Sequence, residues 1–150
     1  MFEKRFNLEI ITPQRVMYEG EVTTVRAPGV VSPFAVLAGH TPFLSLLEVG
    51  EIIFREPSPL APLPEGEGRG MRYMAISGGI LEVLRTGVTI LVNTAEWARE
   101  IDIARAQRAK ERAQQRLMHP TPEINLQRAE AALARALNRL RVAQHTGGFG

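Results

Sequence analysis

The chain has 150 residues, 45% of them hydrophobic, no cysteine and a formal net charge of +2. This length accommodates one domain or two small ones, and its apolar runs fall short of the ~20 residues that span a bilayer. The absence of cysteine excludes disulfides and thiolate metal sites and is typical of a cytoplasmic protein. We expect no secretory signal, because the first five residues lack an apolar core.

Charge is distributed unevenly along the chain. Residues 1–94 carry 8 Lys and Arg against 10 Asp and Glu, whereas residues 95–150 carry 10 against 6. The two parts therefore differ in sign, which indicates two regions with different roles.

Short strands are predicted throughout the first region. Alternating or β-branched segments recur about every ten residues and are separated by turn residues such as Gly78-Gly79. The predicted strands are 6–10, 16–18, 21–26, 36–37, 43–47, 52–54, 73–77, 80–84 and 88–92. This spacing favours an antiparallel sandwich or barrel and excludes a parallel βαβ fold, since no helical pattern separates the strands. The Pro- and Gly-rich segment 56–70 predicts an exposed, mobile insertion.

Two helices are predicted after the strands. The first runs from Ala95 to Met118 with Thr94 as its N-cap, and Pro120 ends it. The second begins at Pro122 and continues to Val142, with Thr121 as its cap and Gly147-Gly148 at its end. A short connection makes them an antiparallel pair.

Both helices carry a narrow apolar stripe at helical spacing. Asp102, the only aspartate of the chain, occupies the position that would complete the first stripe, and Arg105 follows one turn later. The first stripe consists of Ala95, Ala98, Ala106, Ala109, Ala113 and Leu117. The second consists of Ile124, Ala129, Leu133, Ala136, Leu137 and Leu140, beside a basic stripe of Arg128, Arg135 and Arg139.

Motifs for catalysis or metal binding are absent. The chain has no phosphate-binding loop, nucleophile elbow or zinc-protease motif, and its three histidines have no ligand-like spacing. His40, between Gly39 and Thr41-Pro42, is interpreted as a turn or contact residue. The sequence therefore offers no candidate residues for an enzymatic activity.

The helical charges leave three interpretations open. From spacing alone, the simplest is a solvated basic face in which Asp102 pairs with an arginine. The second interpretation is a polyphosphate site on which arginines from both helices converge, since guanidinium groups bind phosphate oxygens bidentately. A nucleic-acid-binding hairpin is the third, although the glutamates dilute the basic charge and only Trp97 is available for stacking.

Several motifs follow one another along nearly the whole chain. They are Ile11-Thr12-Pro13, Gly39-His40-Thr41-Pro42, the segment 77–83 (SGGILEV), Ile101-Asp102-Ile103-Ala104-Arg105-Ala106 and the second helix from Arg128 to Leu140. Together they resemble the epsilon subunit of bacterial F-type ATP synthases, and the segment 101–106 is similar to the IDxxRA motif of that family's C-terminal hairpin.

This resemblance implies an α+β chain, with a flattened antiparallel β-sandwich of about ten strands followed by a two-helix antiparallel hairpin. It places the sandwich at 1–93, the regulatory hairpin at 94–146 and a flexible tail at 147–150. It also implies a non-catalytic rotor subunit on the cytoplasmic face of the bacterial inner membrane, peripheral to the membrane, which couples proton translocation to ATP synthesis. In the family the sandwich binds the gamma subunit and the c-ring. The hairpin inhibits ATP hydrolysis when it extends toward the alpha/beta hexamer.

The resemblance implies no required cofactor, catalytic residue or metal, but it suggests ATP as a regulatory ligand that stabilises the folded hairpin. A purely structural coupling subunit without ATP sensing stays open as the alternative. The implied nucleotide-binding residues are Glu96, Ile101, Asp102, Arg105, Ala106, Arg112, Arg135 and Arg139. The implied contacts to the c-ring or gamma are Ser32, Pro33, Phe34 and His40; the Ser32–Ala35 segment replaces a loop that in the family is richer in Gly and often acidic.

Overall fold

The computed structural model describes residues 4–57 and 70–147. The segment predicted as a mobile insertion lies mostly outside the described residues, as do the last three residues of the predicted tail. The chain divides into two compact units, Met1–Ala95 and Glu96–Gly150. Each is described below by itself.

Eight strands, a short 3-10 helix and two α-helices form the described elements. The strands are β1 (Phe6–Ile11), β2 (Val16–Val22), β3 (Thr24–Ala27), β4 (Phe34–Leu37), β5 (Phe43–Arg55), β6 (Met71–Leu84), β7 (Gly87–Val92) and β8 (Ala95–Trp97). The 3-10 helix is Ala98–Glu100, and the α-helices are α1 (Ile103–Met118) and α2 (Leu126–Gly147). Neither α-helix, within the described part of the chain, has an apolar stretch suited to crossing a membrane.

The strands of the first unit follow the order β2-β1-β7-β6-β5-β3-β4. β2 and β3 are consecutive and separated only by Thr23, yet β2 pairs with β1 while β3 pairs with β4 and β5. The sheet therefore folds back on itself, and the Tyr18 ring of β2 lies 4.4 Å, centroid to centroid, from the Phe54 ring of β5. The predicted sandwich and two-helix architecture is confirmed, with the exception that β1 and β7 pair in parallel.

β5 and β6 are long strands that each cover two predicted ones. Gly78-Gly79, predicted as a turn, lies within β6 because the strand changes its inward face there instead of reversing. Met74 and Ile76 are buried before the glycine pair, and Leu81 and Val83 are buried after it, on the opposite side of the strand. The single predicted strand 21–26 is likewise wrong, since the chain bends at Thr23.

The sandwich core is built from aliphatic and aromatic side chains that alternate along the strands. The fully buried ones include Leu8, Ile10, Val22, Val25, Ile52, Phe54, Met74, Leu81 and Ile90. The backbone is hydrogen-bonded between Glu56 and Gly70, because Glu56 N donates to Gly70 O at 2.8 Å. The Glu56 carboxylate also pairs with Arg72 at 2.7 Å.

Candidate functional site

The residues implied as nucleotide-binding all lie in the second unit. They occupy three segments: the stretch before α1, α1 itself as far as Arg112, and the middle of α2. Glu96 belongs to β8; Ile101 and Asp102 precede α1; Arg105, Ala106 and Arg112 lie on α1; Arg135 and Arg139 lie on α2.

Asp102 is the N-cap of α1 and not a member of a continuous helical stripe. Its backbone is extended, and its Oδ1 accepts a hydrogen bond from the backbone N–H of Arg105 at 3.0 Å. This bond satisfies one of the amide groups that a helix leaves without partners at its start. The predicted helix start at Ala95 is therefore wrong by eight residues, and Asp102 forms no ion pair with any described arginine.

Thr94, predicted as the N-cap, has another partner. Its hydroxyl donates to Ser77 Oγ at 2.6 Å within the first unit. Between Thr94 and α1 the chain forms β8 and the 3-10 helix, whose end at Ile101 is buried.

A second correction concerns the start of α2, which begins at Leu126. Its cap is Asn125 and not Thr121, because Asn125 Oδ1 accepts a hydrogen bond from Arg128 N at 3.1 Å.

Glu96 and Arg139 form the one ion pair between members of the predicted set in the described residues. Arg139 Nε donates to Glu96 Oε1 at 2.6 Å, and the two side chains are each 35% exposed. A charge-assisted hydrogen bond of this length holds the segment before α1 against the middle of α2.

The other three arginines of the set have no carboxylate partner in the described residues. Arg135 lies one helical turn before Arg139, and Arg105 and Arg112 lie two turns apart on α1. Arg105 and Arg112 are exposed and Arg135 is half-buried. Guanidinium groups in this state are available to bind phosphate oxygens bidentately. Groups of three or more metal-ligating side chains do not occur in residues 4–57 and 70–147.

Small residues form the seam between α1 and α2. Ala106 and Ala113 are buried on α1, seven residues apart, and α2 buries Ala129, Ala136 and Ala143 at the same interval. Leu137, predicted for the apolar stripe of α2, is 45% exposed because it lies off this seven-residue row. Alanine buries little area per residue, so the helix pair is held by a weak apolar contact.

Asn138, a buried residue next to Arg139 of the set, was not singled out by the sequence pattern. It is one of two buried polar side chains in the described residues, and its Oδ1 accepts a hydrogen bond from Arg141 Nη2 at 2.8 Å. The only sequence signal for it is its position directly before Arg139; its burial, which the structure shows, restrains that part of α2.

The residues implied as c-ring or gamma contacts lie in the first unit. Ser32 and Pro33 are exposed between β3 and β4, and Phe34 begins β4. The rings of Phe34 and His40 both contact Phe43, at centroid distances of 5.5 and 4.9 Å. Phe43, which the sequence did not single out, therefore joins two of the four predicted residues. His40 also lines a cavity of about 260 Å³ between the β4–β5 and β6–β7 turns.

Comparisons with known proteins match both units. Residues 5–98 match the family model of the ATP synthase delta/epsilon chain beta-sandwich domain, and residues 99–144 match that of its long alpha-helix domain. The chain is 43% identical to the ATP synthase epsilon chain of Syntrophobacter fumaroxidans and 37% identical to that of Syntrophomonas wolfei. These alignments cover 95% and 96% of this chain and 98% of each relative.

Solved structures show the same fold. A chain in the cryo-EM structure of the Euglena gracilis mitochondrial ATP synthase superposes with a TM-score of 0.77 at 22% identity, over 97% of this chain and 84% of that one. These matches confirm the resemblance identified from the sequence motifs. The chain belongs to the ATP synthase delta/epsilon chain family.

Proposed function

We propose that this chain is a non-catalytic rotor subunit of a bacterial F-type ATP synthase, bound through its sandwich to the gamma subunit and the c-ring. Near-complete coverage of curated epsilon chains at 37–43% identity supports this assignment. In this role the subunit is peripheral to the membrane, on the cytoplasmic face, and couples rotation to ATP synthesis.

The helical unit then acts as a regulator of the complex. Folded, it is a compact helix pair; extended toward the alpha/beta hexamer, it inhibits ATP hydrolysis. The alanine seam supports this proposal, because a weakly held helix pair is separated at small free-energy cost.

ATP is proposed to stabilise the folded hairpin. The observation that carries this proposal is that Arg105, Arg112 and Arg135, on two packed helices, have no carboxylate partner within the described residues. A ligand that binds only the folded form stabilises it by RT ln(1+[L]/Kd), about 2.7 kcal/mol at a hundredfold excess over Kd. That is enough to decide between two states of similar free energy.

Calorimetric titration of the full chain with ATP tests the sensing role. We expect Arg105→Ala to weaken binding tenfold or more. Asp102→Asn is more informative than Asp102→Ala, because asparagine retains the helix cap and removes only the charge. Arg108→Ala, an exposed arginine of α1 outside the set, is the matched control. Unchanged ATP affinity in the Arg105 and Asp102 variants would contradict ATP sensing and favour a purely structural coupling role.

Inhibition is tested in the assembled complex. Deletion of the chain after Asn93 is expected to preserve assembly and raise ATP hydrolysis, since the inhibitory element is lost. An assembled complex with an unchanged hydrolysis rate would contradict inhibition by this hairpin.

A further inference from the structure

A cavity lies where α1 ends and α2 begins. Its volume is about 430 Å³, which is within the range of small-molecule sites. We call it the turn cavity, and it is lined by Arg116, Glu123, Ile124, Asn125, Arg128 and Ala129. None of the eight residues implied as nucleotide-binding lines it. The turn cavity is therefore a different place on the same pair of helices.

Two guanidinium groups, one from each helix, line the turn cavity. Arg116 belongs to the last turn of α1 and Arg128 to the first turn of α2, and both are exposed. Within residues 4–57 and 70–147, neither guanidinium forms an ion pair with a carboxylate. The hydrogen bond from Arg128 to the Asn125 cap uses the backbone N–H, so the Arg128 side chain is available to a ligand.

Positive charge is in excess around the turn cavity. From position 112 to position 128 the chain has three arginines and one acidic residue, Glu123. Arg112 and Arg116 are four residues apart on α1, a spacing at which like charges repel each other. Asn125 and Arg128 are the N-cap and the third residue of α2, so the positive end of that helix dipole lies at the cavity. An anion bound here relieves this repulsion.

We propose that the turn cavity binds a diphosphate group, with one phosphoryl group on Arg116 and the other on Arg128. Each guanidinium binds two oxygens of one phosphoryl group, so two guanidinium groups on separate helices match two linked phosphoryl groups better than one. The bound anion joins the end of α1 to the start of α2 and so stabilises the folded hairpin at its turn. This site does not depend on the proposed function.

Glu123 opposes anion binding in the same cavity. Its carboxylate lines the cavity and has no ion pair in the part of the chain that the structure describes. Because like charges repel, this carboxylate weakens the binding of a diphosphate. Its neutralisation in Glu123→Gln should therefore tighten binding, which a merely structural role of the turn would not explain.

Titration of inorganic diphosphate into the isotope-labelled full chain, followed through the Nε–H resonances of its arginines, tests the proposal. We expect saturable shifts at Arg116 and Arg128 with one common Kd. Inorganic phosphate, which has a single phosphoryl group, should bind at least tenfold more weakly. Arg116→Ala should weaken diphosphate binding at Arg128 at least tenfold, and Glu123→Gln should tighten it about threefold.

A matched control removes the same amount of charge elsewhere. Arg99→Ala/Arg108→Ala takes away two exposed arginines that do not line the cavity, and it should leave diphosphate affinity within twofold of wild type. If the shifts do not saturate, or if this control weakens binding as much as Arg116→Ala does, the arginines respond only to the ionic atmosphere and the proposal is overturned.

A second double variant separates the turn cavity from the proposed nucleotide site. Arg105→Ala/Arg135→Ala removes two guanidinium groups of that site and should leave the shifts of Arg116 and Arg128 unchanged. If those shifts disappear in this variant, diphosphate binds at the nucleotide site, and the proposal is overturned while the proposed function stands. If the shifts saturate in a wild-type chain that does not bind ATP, the turn cavity is a diphosphate site and ATP sensing is wrong.

Discussion

Glu96 accepts a 2.6 Å hydrogen bond from Nε of Arg139, although 43 residues separate them in the chain. This contact joins the segment that leads into α1 to the middle of α2. Both residues belong to the set implied as nucleotide-binding, so the carboxylate already occupies a guanidinium that a phosphate would contact. The pair therefore contributes to the stability of the helical unit before any ligand binds.

The energy of this pair is measurable by a double-mutant cycle. We expect Glu96→Gln and Arg139→Gln to show a coupling free energy of about 0.5–1 kcal/mol, small because both side chains are partly exposed to screening solvent. Hydrogen exchange of the α2 backbone amides measures the loss of stability within that helix in each variant. Glu130→Gln, an exposed glutamate of α2, is the control and should not couple to Arg139. A coupling energy of zero would show that the contact is not stabilising.

A second prediction concerns the cap of α1. Asp102→Ala should destabilise the start of α1 by about 1 kcal/mol, because the Arg105 amide loses its acceptor. Asp102→Ser should restore most of this loss, since serine also caps. Hydrogen exchange of the first turn of α1 measures both changes. Equal protection in the alanine and serine variants would contradict the capping role.

Sequence patterns predicted much of this architecture because they record burial. Alternation identified β1, and alanines at helical spacing identified Ala106, Ala113, Ala129 and Ala136 as the helix seam. The start of α1 was missed because Ala95 and Ala98 continue the same helical spacing while the chain there forms a strand and a 3-10 helix. Hydrophobic periodicity alone does not distinguish a helix from an extended segment when that segment is this short.

The candidate sites were predictable only in part. The IDxxRA motif singled out Asp102 and Arg105, yet their position at the start of α1 was missed, and the partner of Arg139 depended on packing between distant segments. The alignment of exposed apolar residues across the sandwich was not predictable from any single strand. Leu46, Ile80 and Leu91 are far apart in the chain, and only the register of three strands aligns them.

The third prediction tests the glycine within β6. A Cβ at Gly79 would overlap the Leu91 carbonyl oxygen and lie 2.9 Å from Val92 Cα, both of them backbone atoms of the adjacent strand. Gly79→Ala should therefore lower the free energy of unfolding of the sandwich by about 3 kcal/mol or more. Gly39→Ala is the control: its positive φ of 81° costs about 1 kcal/mol, but no atom lies within 4 Å of the new Cβ. Denaturant unfolding compares them, and equal losses would contradict the steric explanation.

The last prediction concerns alkaline pH and the Tyr18 hydroxyl. Burial raises the pKa of Tyr18 above its usual value of 10.0; the Glu56 carboxylate raises it further, and Arg72 opposes the change. Because the pKa is higher in the folded state, the unfolded chain loses this proton first. The stabilisation is complete below pH 10 and is lost as pH rises through the folded-state pKa, by at most about 1.4 kcal/mol per pH unit. Tyr18→Phe should therefore show a shallower loss of unfolding free energy above pH 10 than wild type. Denaturant unfolding at several alkaline pH values measures both slopes, and identical slopes would show that Tyr18 ionises alike in the folded and unfolded chains.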